Sequence, residues 1–252
     1  MADTLLVETA ERIATLTISR EQRRNALNDA TLLLLKKALE ELISADVSAI
    51  VLTGAGSKAF CAGTDIKELA EKPMKERIAS TDLGQSVGDM IEQYPRPVIA
   101  AIEGFCLGGG LEMAMCCDYR ICGEGATFGL PEVALGALSS WGGTVRLPRL
   151  VGPARAREII LFNRRLDAKE ALAWGLVNQV VPQGTSLQTA RALAGEVFAG
   201  TDPGIVAIAK GLLTHGSGAT QRAARHLELL ADMSVLASDA LQSGLTKFTD
   251  KR

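Results

Sequence analysis

The sequence predicts an α/β fold of repeated strand-strand-helix units, followed by a wholly helical remainder. Three observations predict it. Residues 97–132 (PVIAAIEGFCLGGGLEMAMCCDYRICGEGATFGLPE) pass from an apolar strand pattern at 98–102, through Gly104 and Gly108-Gly109-Gly110, into helix formers at 111–115. The same order of buried strand, loop and helix recurs around 49–53, which ends at Gly54-Ala55-Gly56, and around 119–122. From Pro153 onward the periodicity is that of helices alone.

In chain order, the β-branched, alternating runs 5–9 and 13–19 predict a hairpin of strands. Asn28-Asp29 caps a leucine-rich helix over 30–44. The run AIVLT at 49–53 is a strand buried on both faces. A helical stretch follows at 74–94; its Gly84 and Gly88 each cost about 1 kcal/mol of helix stability relative to alanine, which marks the stretch as a candidate for mobility. Helices are expected at 154–162, 168–174, 186–199, 203–213 and from 219 to the C-terminus, with breaks at Gly200 and Gly216-Ser217-Gly218.

Composition narrows the function classes. A chain of 252 residues, 47% apolar and with a net charge of −2, is long enough to bury roughly three quarters of its unfolded surface. A pI near 5.8 leaves no basic footprint for nucleic acid. Five cysteines, Cys61, Cys106, Cys116, Cys117 and Cys122, lie in apolar surroundings without a C-x-x-C pair, and there are two histidines. Buried thiols are expected, with neither a disulfide framework nor a metal site. The N-terminus carries no basic leader and no run of about 18 apolar residues occurs, so the expectation is a cytoplasmic protein without a membrane segment.

The glycine turn at 108–110 is the point where chemistry enters. Glycine admits a positive φ and a close ligand, and the first N–H groups of the following helix lack intrahelical acceptors. Those donors, with the positive end of the helix dipole behind them, suit an oxygen that becomes negative during a reaction. Glu112 falls in the first turn of that helix, and Glu132 arrives in Leu130-Pro131-Glu132. A tight packing corner is the bland reading of such a turn. No G-x-x-x-x-G-K-[ST] phosphate loop and no G-x-S-x-G nucleophile elbow is present.

With REQRRNALN at 20–28, FCAGTDIK at 60–67, GGTVRLPRLVG at 142–152 and AWGLV at 173–177 in the same order and spacing, the chain resembles the crotonase superfamily of enoyl-CoA hydratases and isomerases. The resemblance spans nearly the whole sequence. It implies a crotonase-type spiral over 1–200 and a C-terminal all-helical subdomain over 201–252 that packs in a homotrimer or a dimer of trimers. It implies an oxyanion hole from the backbone N–H groups of Thr64 and Gly109. Glu112 and Glu132, twenty positions apart as in the family's hydratases, are then the base for water and the acid for the α-carbon. Arg24, Ala26, Ala62, Asp65, Ile66 and Lys67 match the coenzyme A contacts, and Lys251 matches a terminal lysine on a CoA phosphate. CoA belongs to the substrate; no separate cofactor is implied.

The resemblance places Leu138 and Trp141 at the acyl pocket, in LSSWGG, where hydratases usually carry a Pro-Gly pair before a small residue. Trp141 shortens the pocket, stacks on a cyclic or aromatic acyl group, or packs; the residues leave these open. The leading reading is an enoyl-CoA hydratase. The alternatives are another reaction through the same enolate (isomerisation, thioester hydrolysis, C–C cleavage) and a non-catalytic assembly or RNA-binding member.

Overall fold

A computed structural model describes residues 4–198, 200–216 and 218–249. β1 (Leu5–Ala10) and β2 (Ile13–Ile18) form the expected antiparallel hairpin, Leu5 opposite Ile18. α1 (Asp29–Leu42) starts at Asn28, whose side-chain oxygen accepts the Thr31 N–H at 3.0 Å. Next come β3 (Ala49–Gly54), β4 (Ala59–Cys61), α2 (Ile66–Glu71) and α3 (Met74–Glu92), then β5 (Val98–Ile102), β6 (Phe105–Leu107) and α4 (Gly109–Cys116). β7 (Tyr119–Gly123) and β8 (Thr127–Gly129) lead through a 3-10 turn at Glu132–Leu135 to α5 (Gly143–Val151) and α6 (Pro153–Leu161). β9 (Leu166–Asp167), α7 (Ala168–Ala173), β10 (Gln179–Val181) and α8 (Ser186–Phe198) precede α9 (Pro203–Gly216), α10 (Gln221–Leu236) and α11 (Asp239–Thr249).

Each turn of the spiral lays one long strand in a six-stranded sheet, order β1-β2-β3-β5-β7-β10, and one short strand in a four-stranded sheet, order β4-β6-β8-β9. From β2 to β10 the large sheet is parallel. Parallel strands are covered on both faces, which explains their unbroken apolar runs. Ile50, Leu52, Ala100 and Ile102 face the main core with Leu35 and Leu39 of α1. The alternate residues Ala49, Val51, Ile99 and Ala101 pack with Ala190 and Ala194 of α8. Each fully buried Leu or Ile contributes roughly 1.5–3 kcal/mol.

Three features depart from the sequence reading. The stretch after Pro153 is not wholly helical: β9 pairs with β8 and β10 extends the large sheet beside β7, strands of two and three residues that are too short to show a period. The segment from 219 onward is two helices, because Ser238 ends one and caps the next, its Oγ accepting the Leu241 N–H at 3.3 Å. The short strands β4, β6 and β8, of three residues each, give no readable alternation, yet they are what brings the glycine turns side by side. The five cysteines are buried and free, and burial pushes the Cys61 thiol up to about 12.

α9 is tied to the body by Lys210, whose Nζ donates to Asp118 Oδ2 at 2.6 Å and to the carbonyls of Ile91 and Arg96. α10 packs against α9 and buries none of its own residues. Among the described residues no single helix is long and apolar enough to cross a membrane.

Candidate active site

Two successive layers of the small sheet place two loops against each other. β4 and β6 pair in parallel, Cys61 opposite Cys106, so the residues after each strand emerge on the same side. After β4, Thr64 forms a parallel bridge with Leu27. Leu27 N–H donates to Gly63 O and Asp65 N–H donates to Leu27 O, both at 2.8 Å. The neighbours of Thr64 make those bonds, so its own N–H points away from Leu27.

After β6 the chain turns at Gly108, with φ 53° and ψ −131°, a conformation that disfavours any side chain. Gly109 is the first residue of α4, and its N–H has no acceptor within the helix. A Cβ built on Gly63 would lie 3.2 Å from Gly109 N, which shows how closely the two loops approach.

Arg20 holds the first loop. Its guanidinium donates to Asp65 Oδ2 at 3.0 Å and to the carbonyl of Ala26. Burial alone would raise the Asp65 carboxyl; the Arg20 hydrogen bond and the Glu68 N–H outweigh it and hold it below the usual range. Asp65 also caps α2, accepting the Glu68 N–H.

Glu112 lies in the first turn of α4 and is 3% exposed. Its Oε1 accepts the N–H groups of Trp141 at 2.8 Å and Gly143 at 2.7 Å. Burial pushes its pKa up to about 7; those N–H groups oppose the rise, and the nearby Glu132 charge adds to it. Glu132 follows Pro131 at the start of the 3-10 turn, and its Oε2 accepts the Ser139 hydroxyl at 2.9 Å. Its carboxyl is likewise raised by burial, against the pull of its own backbone N–H and of Ser139. Oε1 of Glu132 faces the glycine turn: a Cβ on Gly108 would stand 2.8 Å from it.

A cavity of about 510 Å³ joins these parts, its wall including Thr64, Gly109, Glu112, Glu132, Leu138 and Trp141. Of the CoA set expected from sequence, Ala62 and Ile66 line it, whereas Arg24, Ala26, Asp65 and Lys67 do not. Ala62 N–H bonds to Arg24 O at 3.0 Å, and the Arg24 guanidinium lies 5.5 Å from the centre of the Phe105 ring. The Asp65 carboxylate is engaged by Arg20 and the α2 cap, so its part in this site is to shape the loop. Lys67 is exposed on α2, and Lys251 falls outside the described residues.

The model sequence of the family described as enoyl-CoA hydratase/isomerase matches residues 8–252. The chain belongs to the enoyl-CoA hydratase/isomerase family. It is 38% identical to the crotonyl-CoA hydratase of Syntrophomonas wolfei, covering 99% of this chain and 96% of that protein. It is 37% identical to the short-chain-enoyl-CoA hydratase of Clostridium acetobutylicum, over 98% of this chain and 95% of the relative. The crystal structure of an enoyl-CoA hydratase from Bacillus anthracis superimposes with a TM-score of 0.95 at 37% identity, covering 99% and 97% of the two chains. The fold is therefore the crotonase spiral.

Sequence reasoning missed the residues that hold Glu112 and Glu132. Ser139 lies in a loop without periodic signal and Gly143 opens α5, and only their position beside Trp141 in a departing motif marks them. Arg20 was legible as one of three arginines before the asparagine turn, but its inward direction was not. Trp141 is 4% exposed; its ring packs against Gly84 and Gly109 and also lines the cavity, so it is a packing residue and a wall of the pocket together.

Proposed function

We propose that this protein is an enoyl-CoA hydratase, adding water across the conjugated double bond of a 2-enoyl-CoA thioester. One arrangement supports the reading above the others: a buried carboxylate, Glu112, and a half-buried one, Glu132, both raised, share a cavity wall with Thr64 and Gly109 of the paired glycine loops. The thioester oxygen accepts the N–H groups of Thr64 and Gly109, and the dipole of α4 favours the charge that grows there. Glu112, with a pKa of about 7, is partly ionised near neutral pH and takes a proton from water. The water oxygen bonds to Cβ, the π pair moves toward the thioester, and an enolate forms. Glu132, kept protonated more readily by burial, gives its proton to Cα as the carbonyl re-forms. The product is a 3-hydroxyacyl-CoA. Each carboxylate is asked for about a hundred- to ten-thousand-fold in rate.

Addition of water moves no electrons between molecules, so CoA enters only as part of the substrate. Ala62 and Ile66 form the near wall for the thioester arm, and Arg24 and Lys67 supply positive charge for its phosphates. We further assign residues 201–252 to a separate helical subdomain through which the chain forms a trimer or a dimer of trimers. The exposed Leu229, Leu230, Met233 and Leu236 on α10 support this, since that helix finds no core of its own.

The decisive experiment is incubation with crotonyl-CoA, following loss of the conjugated thioester's ultraviolet absorbance and the mass of the product. Gain of one water is expected. Binding without that gain would overturn the assignment.

A further inference from the structure

The loop from Leu138 to Gly143 holds both carboxylates, and it does so in two different ways. Glu112 is held by backbone, through the N–H groups of Trp141 and Gly143. Glu132 is held by a side chain, the hydroxyl of Ser139, which donates to Oε2 at 2.9 Å. Ser139 is 3% exposed. It also lies close to the start of α5: a Cβ added at Gly143 would stand 2.7 Å from Ser139 Cβ.

The two oxygens of Glu132 are therefore unlike. Oε2 is occupied by Ser139, and Oε1 faces Gly108, whose Cα leads into the first turn of α4. An acid that protonates Cα needs its proton on the oxygen directed at the thioester. A protonated carboxyl carries one hydrogen, and an oxygen that already accepts a hydroxyl hydrogen is a poor place for it. Geometry at Ser139 thus decides which oxygen carries the acid proton.

We propose that Ser139 is a positioning residue for Glu132, holding Oε2 so that the transferable proton resides on Oε1, toward the substrate. This rests on the hydratase reading for its chemistry, but not for its geometry. In the step itself the Oε1–H bond breaks, a Cα–H bond forms, and the enolate pair returns to the thioester carbonyl. Ser139 neither gains nor loses a proton; it remains bonded to the carboxylate left behind. The charged groups that share the cavity wall with Glu132 are Glu112 and Arg77.

The test compares Ser139→Ala with Ser139→Thr, which keeps the hydroxyl. The Glu132 carboxyl is titrated by ¹³C NMR, its signal assigned with Glu132→Gln, and crotonyl-CoA hydration is measured in parallel. Removing a donor from a carboxylate disfavours its ionised form, so Ser139→Ala should raise the Glu132 pKa while kcat falls at least tenfold and KM stays within twofold. Ser139→Thr should restore both. In a Glu132→Gln background, Ser139→Ala should cost nothing further. An unchanged Glu132 titration overturns the proposal whether or not the protein hydrates enoyl-CoA; a raised titration with no hydration by the wild-type protein overturns the hydratase reading instead. Equal kcat losses for the Ala and Thr variants would reduce Ser139 to packing. Should Ser139→Ala fail to fold, Ser139→Cys, a weaker donor of similar size, carries the same comparison.

Discussion

Gly84 and Trp141 occupy one space: a Cβ on Gly84 would stand 2.2 Å from Cε2 of the indole ring. The glycine that weakens α3 by its propensity is what lets the ring lie flat beside the helix and close the cavity. Gly88, one turn on, does the same for Cys116, whose Sγ would be 3.1 Å from an added Cβ.

Gly84→Ala should therefore destabilise the protein by about 1–3 kcal/mol, the range for overpacking, although helix propensity by itself predicts a gain of about 1 kcal/mol. Urea unfolding decides the sign. A stabilised variant would mean that the ring moves aside at no cost.

Trp141→Ala removes the wall beside Gly109 and should raise kcat/KM for longer 2-enoyl chains relative to crotonyl-CoA. The lost packing should cost about 3–5 kcal/mol of stability. A chain-length series run at one temperature below both melting points measures the first effect apart from the second; an unchanged preference assigns Trp141 to packing alone.

Division of labour between the carboxylates is open to direct test. Glu112→Gln should abolish hydration yet leave exchange of the α-protons of butyryl-CoA with deuterated water. Glu132→Gln should suppress both, because exchange needs the oxyanion donors and one base at Cα. Hydration at the wild-type rate in a folded Glu112→Gln protein would remove Glu112 from the mechanism.

The raised pKa of Glu112 is also a statement about stability. Its folded value is about 7, against a model value of 4.5, so between those values the native state holds more protons than the unfolded chain. Its contribution is fully present below pH 4.5 and is lost as pH rises toward 7. Glu112→Gln, which keeps an oxygen for the Trp141 and Gly143 N–H groups, should thus be more stable than wild type at pH 8, by on the order of 1–3 kcal/mol. The advantage should shrink as pH falls to 5. Thermal melts across that interval check the slope.

Light scattering should return three or six times the 26.6 kDa of the single chain at micromolar concentration. A monomer mass would leave α10 exposed in solution and the proposed assembly without support.

Much of this architecture is readable because strands covered on both faces are unbroken apolar and β-branched runs. β5 was placed at its observed ends, and the hairpin of β1 and β2 within a residue, since apolar and β-branched positions there have no competing demand. Glu112 was legible because a helix-opening carboxylate after a glycine turn is a local pattern. What holds it was not. Trp141 and Gly143 reach it through backbone N–H groups, which every residue type possesses and which therefore leave no mark on residue identity. Ser139 and Arg20 carry identity but act from irregular segments after the 3-10 turn and after β2, on Glu132 and Asp65, where no periodic pattern gives the direction of a side chain.

Arg146 gives the acyl wall a property of its own. Its guanidinium bonds to Asp89 and Glu92 of α3 and to the carbonyl of Trp141. The helix that borders the cavity and the loop that holds Glu112 are thereby fastened to a single cation. A chimera that imports α3 from a relative of different chain-length preference will carry over the new pocket only if it also brings carboxylates matching Arg146. Without them it is expected to disturb the Trp141 carbonyl and, through the same residue's N–H, the carboxylate of Glu112. On the proposed hydratase mechanism, substrate range and turnover should for this reason be inherited together, and substitution of Asp89 or Glu92, neither of which lines the cavity, should register first as a fall in kcat.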